Sequence, residues 1–351
     1  MRKCGTSLFC THSSTETLFR SLLAFFSLIL SLFLYFTFFT NVFLSHGVRS
    51  MWLVVFFAIV VMSDAAIITT RLFIVKLGGS SITKKDEFET LKAEALTQTA
   101  AALAEAWRNI TISTTNHLLI VHGAGSFGHQ HAHHYNIKNG GRVDGDWREG
   151  FSKTRESVTK LNRHVVSALV AEGLPAVSMS LFPSFTGALT DDGAGHLLRS
   201  VATTLRAGLL PVLHGDAILD SASRCTIFGG DLIMQWLTSA LPRALGDDTC
   251  NVTTVFVTDV DGVYDRPPSQ PGSMLLREIL VMPNGEMQFP QTSALEHDVT
   301  GGVQKKLEVA RDLTIGGATV SIVPPALLSQ ALAGTLFDAE KGTWLTLKND
   351  R

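Results

Sequence analysis

Three stretches of this sequence pair a glycine-rich turn with a cationic or imidazole side chain, and together they describe a site for phosphate groups. Lys76 stands just before Gly78-Gly79-Ser80-Ser81, and Lys85 follows that turn. His122-Gly-Ala-Gly-Ser-Phe-Gly-His129 carries glycines at 123, 125 and 128 and ends on an imidazole. Gly301-Gly302 precedes Lys305 and Lys306. A glycine turn that opens a helix aims backbone N–H groups and the positive end of the helix dipole at its occupant, and a phosphate is the natural one. An ammonium emerging beside such a turn has a phosphate oxygen to pair with. His129, closing its turn at a helix N-terminus, faces the same occupant as the amides. Three anion-binding turns in one chain imply more than one phosphoryl group held at once, which is what transfer between them requires.

Other chemistries fit these residues less well. Gly123, Gly125 and Gly128 satisfy the G-x-G-x-x-G of dinucleotide-binding enzymes, but that fingerprint needs an acidic residue about 20 positions on, at the end of the next strand. Asp144 and Asp146 lie at that distance in a loop, GGRVDGDWREG. Gly123 and Gly128 also have Walker A spacing, yet His129 and Gln130 occupy the places of its Lys and Ser/Thr. Neither pattern explains the lysine-bearing turn at Gly78-Gly79. The run Asp259-Val-Asp261-Gly262-Val-Tyr264-Asp265 invites a calcium loop, but counted from Asp259 its glycine is fourth rather than sixth, and Gln270 replaces the twelfth-position Glu. His129, His131, His133 and His134 are dense, but no further cluster of Cys, His or paired carboxylates matches them, so no metal ligands are assigned. His131 and His134 are expected to pack or to face solvent.

The elements that must position these turns alternate. Arg71–Leu77 reads as a buried strand, and a helix running to Trp107 follows with Asp86 as its N-cap. Leu118–Val121 is the strand before the His122 turn, and Arg148–Gly173 is a long helix. Ala176–Met179, Leu209–Leu213, Thr253–Thr258 and Thr319–Val323 are further apolar runs; helices are expected at 197–207, from Asp231 through Leu241, from Gly301 to near Gly316 and at 326–333. Ala217–Leu219 and Cys225–Phe228 form a hairpin, and Thr343–Leu347 is read as an edge strand. Strands alternating with helices specify an α/β fold with a mainly parallel sheet.

With 351 residues, 46% of them apolar, the chain can bury a large core, and a net charge of −2 supplies no general attraction to nucleic acid. Four scattered cysteines without C-x-x-C spacing offer neither a disulfide framework nor a zinc site. Composition breaks near Ser63. Residues 21–48 contain no Asp, Glu, Lys or Arg, and 22–44 is long enough to span a bilayer, whereas Met51–Met62 is too short to do so alone. Residues 1–66 are therefore expected to be a hydrophobic extension. It would serve as a membrane segment, a hairpin returning the chain to the cytosol or an organelle-targeting signal, unless the working protein starts at Met62.

Lys76-Leu-Gly-Gly-Ser80, His122-Gly-Ala-Gly-Ser-Phe-Gly-His129, Thr258-Asp-Val-Asp-Gly-Val-Tyr264 and Asp298-Val-Thr-Gly-Gly302 with Lys306 together resemble the amino acid kinase superfamily and, within it, the isopentenyl phosphate kinases. The resemblance runs from about Arg71 to the C-terminus. It implies an open αβα sandwich over residues 67–351, with an acceptor-phosphate lobe at 67–208 and an ATP lobe at 209–351, the catalytic domain being cytosolic and the assembly a homodimer. It implies phosphorylation of isopentenyl phosphate by ATP with Mg²⁺ held mainly by the nucleotide's phosphates. A fosfomycin-type kinase and a non-catalytic nucleotide-binding regulator are the alternatives.

The same resemblance assigns catalysis to Lys76, Lys85, His129, Asp231 and Lys306. ATP binding falls to Lys76, Gly78, Gly79, Ser80, Ala124, Thr258, Asp259, Gly262, Tyr264, Gly301, Gly302 and Lys306. Acceptor binding falls to Gly123, Ala124, Gly125, Ser126, Gly128, His129, Gly215 and Asp216. Where the family reads Gly-Asp-Asp this chain has Gly229-Gly230-Asp231.

Overall fold

The run RLFIVKL becomes β1 (Arg71–Leu77), with every residue from Leu72 onward buried, because it has parallel neighbours on both sides and helices on both faces. The computed structural model describes residues 70–111, 113, 115–143, 145–186, 192–289, 301–335 and 340–348. The apolar runs at 22–44 and 51–62, and Asp298 and Thr300, lie outside the described residues. Among those described, no helix is long and apolar enough to cross a membrane.

After β1 come α1 (Gly79–Ile82), α2 (Ala93–Ile110), β2 (Asn116–His122), α3 (Gly125–His134), α4 (Trp147–Ala171) and β3 (Ala176–Ser178). Next are α5 (Asp192–Arg206), β4 (Leu210–His214), the hairpin β5 (Asp216–Asp220) and β6 (Arg224–Phe228), α6 (Gly230–Ala244) and β7 (Asn251–Val257). The chain continues through β8 (Val263–Tyr264), β9 (Leu275–Leu276), β10 (Glu278–Val281) and β11 (Met287–Gln288). Last come α7 (Gly301–Ile315), β12 (Thr319–Val323), α8 (Leu328–Ala333) and β13 (Thr343–Leu347).

The main sheet runs β11-β10-β13-β12-β7-β1-β2-β4-β3, parallel from β12 to β3. Side chains alternate across it. Leu72, Ile74, Leu119, Val121 and Leu213 join the apolar faces of α5, α6 and α7. Phe73, Val75, Leu77, Leu118 and Ile120 join those of α2, α4 and α8 on the opposite side. The result is the expected αβα sandwich. Residues Thr69–Arg351 form one compact unit.

The register levels the strand ends that matter. Leu77 pairs with both His122 and Val257, and His122 pairs with His214, so four parallel strands deliver their loops at one height.

Two expectations need correction, and four short strands add to them. The helix after Lys85 starts at Ala93, not at Asp86: residues 83–91 form a loop closed by a Thr83–Leu91 bridge, with Glu89 in the left-handed region at φ 47°, a backbone state no helix admits. Thr343–Leu347 is not an edge strand, since it lies between β12 and β10. The strands β8 to β11 were not anticipated, being two to four residues long with no apolar alternation to mark them.

His122 and His214, at the adjacent ends of β2 and β4, are buried and stack with centroids 5.5 Å apart. Each ring sets its Nδ1 against the carbonyl of the next residue, Gly123 at 3.0 Å and Gly215 at 3.2 Å. His122 Nε2 lies 3.3 Å from the side-chain amide of Asn162, which also contacts Ser178 Oγ at 2.7 Å. A neutral ring donating through Nδ1 has only an acceptor at Nε2, so Asn162 must present its NH₂ to the ring and its oxygen to the serine hydroxyl.

Burial, before any other cause, pushes both imidazoles down to about 4. Above the ordinary value of 6.5 both folded and unfolded rings are neutral, and as pH falls below it the unfolded chain binds protons that the fold refuses. Between pH 6.5 and 5 this should remove about 1.5 kcal/mol of stability per imidazole. Urea midpoints measured across that window should fall steeply, and a flat profile would mean that the pair takes up protons in the folded state.

Candidate active site

Four loops leave the levelled strand ends, and each begins by extending the sheet by one hydrogen bond. Gly78 N–H donates to Val257 O (3.1 Å), Gly123 N–H to Leu77 O (3.0 Å), Gly215 N–H to His122 O (3.0 Å) and Thr258 N–H to Val323 O (2.9 Å). The first two loops then touch backbone to backbone. A Cβ added at Gly79 would sit 2.6 Å from Gly125 N, and one at Gly125, whose φ is +53°, would sit 2.2 Å from Thr83 Oγ1. Thr83 ties the loops together, its hydroxyl donating to Gly79 O (2.8 Å) and accepting from Ser126 N–H (3.0 Å). α1 and α3 thus start side by side, with their amide ends at one place.

Above them opens a cleft of about 1100 Å³. Its lining includes Lys76, Gly79, Gly123, Ala124, Gly125, Gly128, His129, Gly215, Asp216, Gly229, Gly230, Asp231 and Lys305. Other expected residues stand around it. Lys85 is near enough to His129 to act on its charge state. Gly78 and Thr258 are the first residues beyond β1 and β7, and Ser80 follows Gly79 in α1. Gly262 lies in the turn entering β8, Tyr264 is the last residue of β8, and Gly301 and Gly302 begin the first turn of α7.

Two expected acceptor-binding side chains are already engaged. Ser126 is buried and exchanges hydrogen bonds with the backbone of Thr90, both at 3.4 Å. Asp216 is buried and held by Arg155 through Nε (3.2 Å) and Nη2 (3.0 Å), by Ser180 Oγ (3.3 Å) and by the N–H of Ala217 (2.8 Å). Its burial raises its pKa against the pull of Arg155. This carboxylate fastens α4 to the β5–β6 hairpin. Arg155 was missed because it is one charged residue among many on a long helix; Asn162 likewise gave no signal.

Lys76 is almost fully buried, with Nζ 2.7 Å from Asp231 Oδ1, a Coulombic contact rather than a directed hydrogen bond. Lys306 has its pKa lowered, first by burial and then by Lys76, while Asp231 and Asp259 oppose the shift. His129 is solvent-exposed by its own surface area, yet the crowding of the cleft wall, and then Lys85, lower its pKa, so it is a neutral donor at pH 7. His131 packs edge-on against Phe88 at 5.1 Å, and His134 against Tyr135 at 4.7 Å. Among the described residues no group of three or more His, Cys, Asp or Glu is placed to hold a metal.

The loop after β7 is pinned from both sides. Asp259 receives Lys92 Nζ at 3.1 Å, Gly342 N–H donates to Asp261 O at 2.7 Å, and Val263 N–H donates to Thr343 Oγ1 at 2.8 Å.

Residues 71–324 match the amino acid kinase family. An isopentenyl phosphate kinase of Arabidopsis thaliana is 36% identical over 317 residues, covering 78% of this chain and 93% of its own length. That of Methanothermobacter thermautotrophicus is 34% identical, covering 79% of this chain and 100% of its own. A solved isopentenyl phosphate kinase structure superposes with a TM-score of 0.57 at 30% identity, covering 79% of this chain and 100% of its own. The chain belongs to the amino acid kinase family, among the isopentenyl phosphate kinases.

In this kinase the departure at Gly230 has a steric correlate. A Cβ there would lie 3.2 Å from Lys76 Cε and 3.4 Å from His122 O, so glycine leaves the Lys76–Asp231 pair undisturbed. The contact between the first two loops is tighter still. Gly79→Ala drives a methyl into the Gly125 backbone and should cost about 1–3 kcal/mol of stability. It should also lower kcat/KM for both substrates, because it parts the two amide turns. Wild-type stability and kinetics in that variant would disprove the contact.

Proposed function

We propose that the chain transfers the γ-phosphoryl group of ATP to isopentenyl phosphate, yielding isopentenyl diphosphate and ADP. The observation that carries this reading is the placement of His129, at the end of the GAGSFGH turn, in one cleft with Lys76 and Asp231. A phosphate oxygen of the acceptor attacks the γ-phosphorus, a new P–O bond forms, and the bond to the β–γ bridging oxygen breaks, leaving its electron pair on ADP. A phosphate monoester has its second pKa near ~6, so the acceptor is largely a dianion at neutral pH and needs no strong general base.

What the reaction needs is a way to bring anions together. The amides of Gly79 and Gly123 to Gly125 face the phosphates, and Lys76, Lys85 and Lys306 offset their charge. His129 donates to the acceptor phosphate, and Asp231 orients Lys76. ATP sits towards the loops at Thr258–Tyr264 and Gly301–Gly302, and the acceptor towards α3 and α4. On this reading the acceptor lobe is residues 67–208 together with β4 and the β5–β6 hairpin, and the rest of the chain to 351 is the ATP lobe. Asp231 and Asp259 are each taken by a lysine, a donor set suited to a Mg²⁺ that arrives on ATP's phosphates and adds charge neutralisation there. Homodimeric assembly, and membrane attachment or targeting through residues 22–44, are parts of the same proposal. They are checked by sedimentation and by fractionation of the full chain.

An ADP-release assay over isopentenyl and dimethylallyl phosphates, UMP, small phosphorylated alcohols and fosfomycin should show turnover on the five-carbon phosphates. Turnover of another acceptor in their absence would overturn the assignment.

His129→Ala should cost about 2–4 kcal/mol in kcat/KM through the lost charge-assisted hydrogen bond. His131→Ala and His134→Ala, which remove packing contacts, should be mild. Equal losses at all three would point instead to a shared metal.

A further inference from the structure

Lys92 caps the N-terminus of α2, and neither the glycine turns nor the lysines assigned to chemistry include it. Its backbone N–H donates to Ile82 O at 2.9 Å, which fixes its root beside α1. Its ammonium then bridges two loops, donating to Ser80 O at 2.6 Å and to Asp259 Oδ2 at 3.1 Å. Ser80 Oγ, at 3.4 Å, faces the other oxygen of the same carboxylate. Both oxygens of Asp259 are therefore engaged from the β1 side. One side chain spans the turn after β1 and the loop after β7.

The consequence falls on Lys306. The charged groups that act on it come from three elements: Lys76 on β1, Asp231 on α6 and Asp259 in the loop after β7. Its own helix adds Lys305 as a neighbour in the chain. Asp231 is the counter-ion of Lys76. If Asp259 lacked Lys92, Lys306 would be its remaining ammonium partner, and a lysine paired with a carboxylate is held back from an incoming phosphate. Three ammonium groups, Lys76, Lys92 and Lys306, face two carboxylates, Asp231 and Asp259, for one net positive charge. Removing Lys92 takes one positive charge from a site that must draw together two polyanions.

We propose that Lys92 is a positioning residue for phosphoryl transfer: by occupying Asp259 it locks the loop after β7 against the turn after β1 and leaves Lys306 free for the phosphates. This rests on the kinase reading above. A wild-type chain that turns over no phosphate acceptor would count against that reading, whereas a Lys92 variant indistinguishable from an active wild type would count against this one.

The test compares K92M, K92R and D259N with wild type for turnover, for binding of a non-hydrolysable ATP analogue and for thermal midpoint. K92M should bind the analogue about tenfold more weakly and lose at least about tenfold in kcat, while K92R, which keeps the charge, recovers most of both. In the D259N background, K92M should cost much less than in wild type, because the carboxylate charge it restrains is gone and only the bond to Ser80 O remains to be lost. The pH profile separates positioning from a merely structural loss. Freed in K92M, Asp259 raises the pKa of Lys306, so the fall in kcat/KM on the alkaline side moves to higher pH, a shift that loosened packing would not produce. Wild-type binding and turnover in K92M, losses that multiply in the double variant, or an unmoved alkaline limb would each overturn the proposal.

Discussion

The close approach of two backbones, at Gly79 and Gly123–Gly125, is the constraint on which the rest of the structure depends. Two helix N-termini can serve one ligand only if their first turns touch, and they touch only where neither residue has a Cβ. β1 and β2 must then be parallel, adjacent and in register at Leu77 and His122, as they are. Parallel strands require helical crossovers, so α1 and α2 lie between β1 and β2, and the long α2 and α4 cover the Phe73 face of the sheet. Much of the architecture follows from holding two glycine turns together at the centre of a sheet.

Beneath the turns, polar groups replace packing. Buried His122, His214 and Asn162 form one polar cluster, with Asn162 reaching out to the exposed Ser178, and buried Asp216 with the half-buried Arg155 and Ser180 forms a second. Such groups are costly unless satisfied, and here each bonds a backbone carbonyl, an N–H or another side chain. They fix the height and tilt of the loops more sharply than aliphatic side chains would, and they make the fold sensitive to acid.

The electrostatics of the cleft has the same economy. Burial alone would drive lysines towards neutrality, and Lys76, Lys92 and Lys306 have carboxylates close by, each of which acts on two of them. Lys76 takes Asp231, Lys92 takes Asp259, and Lys306 lies within reach of both acids without a dedicated partner. Amides, which carry no net charge and need no counter-ion, supply the remaining donors through the glycine turns.

Much of this was legible in the sequence, for reasons that follow from local chemistry. Buried parallel strands read as continuous apolar runs, so β1, β4, β7 and β12 were apparent to within a residue or two, and a glycine turn after a strand announces a phosphate whatever the fold. Residues whose role depends on a distant partner were not legible. Lys92 looks like any lysine before a helix until Asp259, 167 positions away, is brought to it, and Arg155 until Asp216, 61 positions on, is folded beneath it. Ser126 belonged to the right turn, but which way its hydroxyl points is set by the loop at Thr90. The sequence by itself determined the strand-turn-helix units and the anionic character of their ligand, because spacing and glycine content act over a few residues. Only the tertiary structure decided which charges neutralise one another, because Coulomb pairing and burial depend on distances that exist once the sheet has brought its loops together.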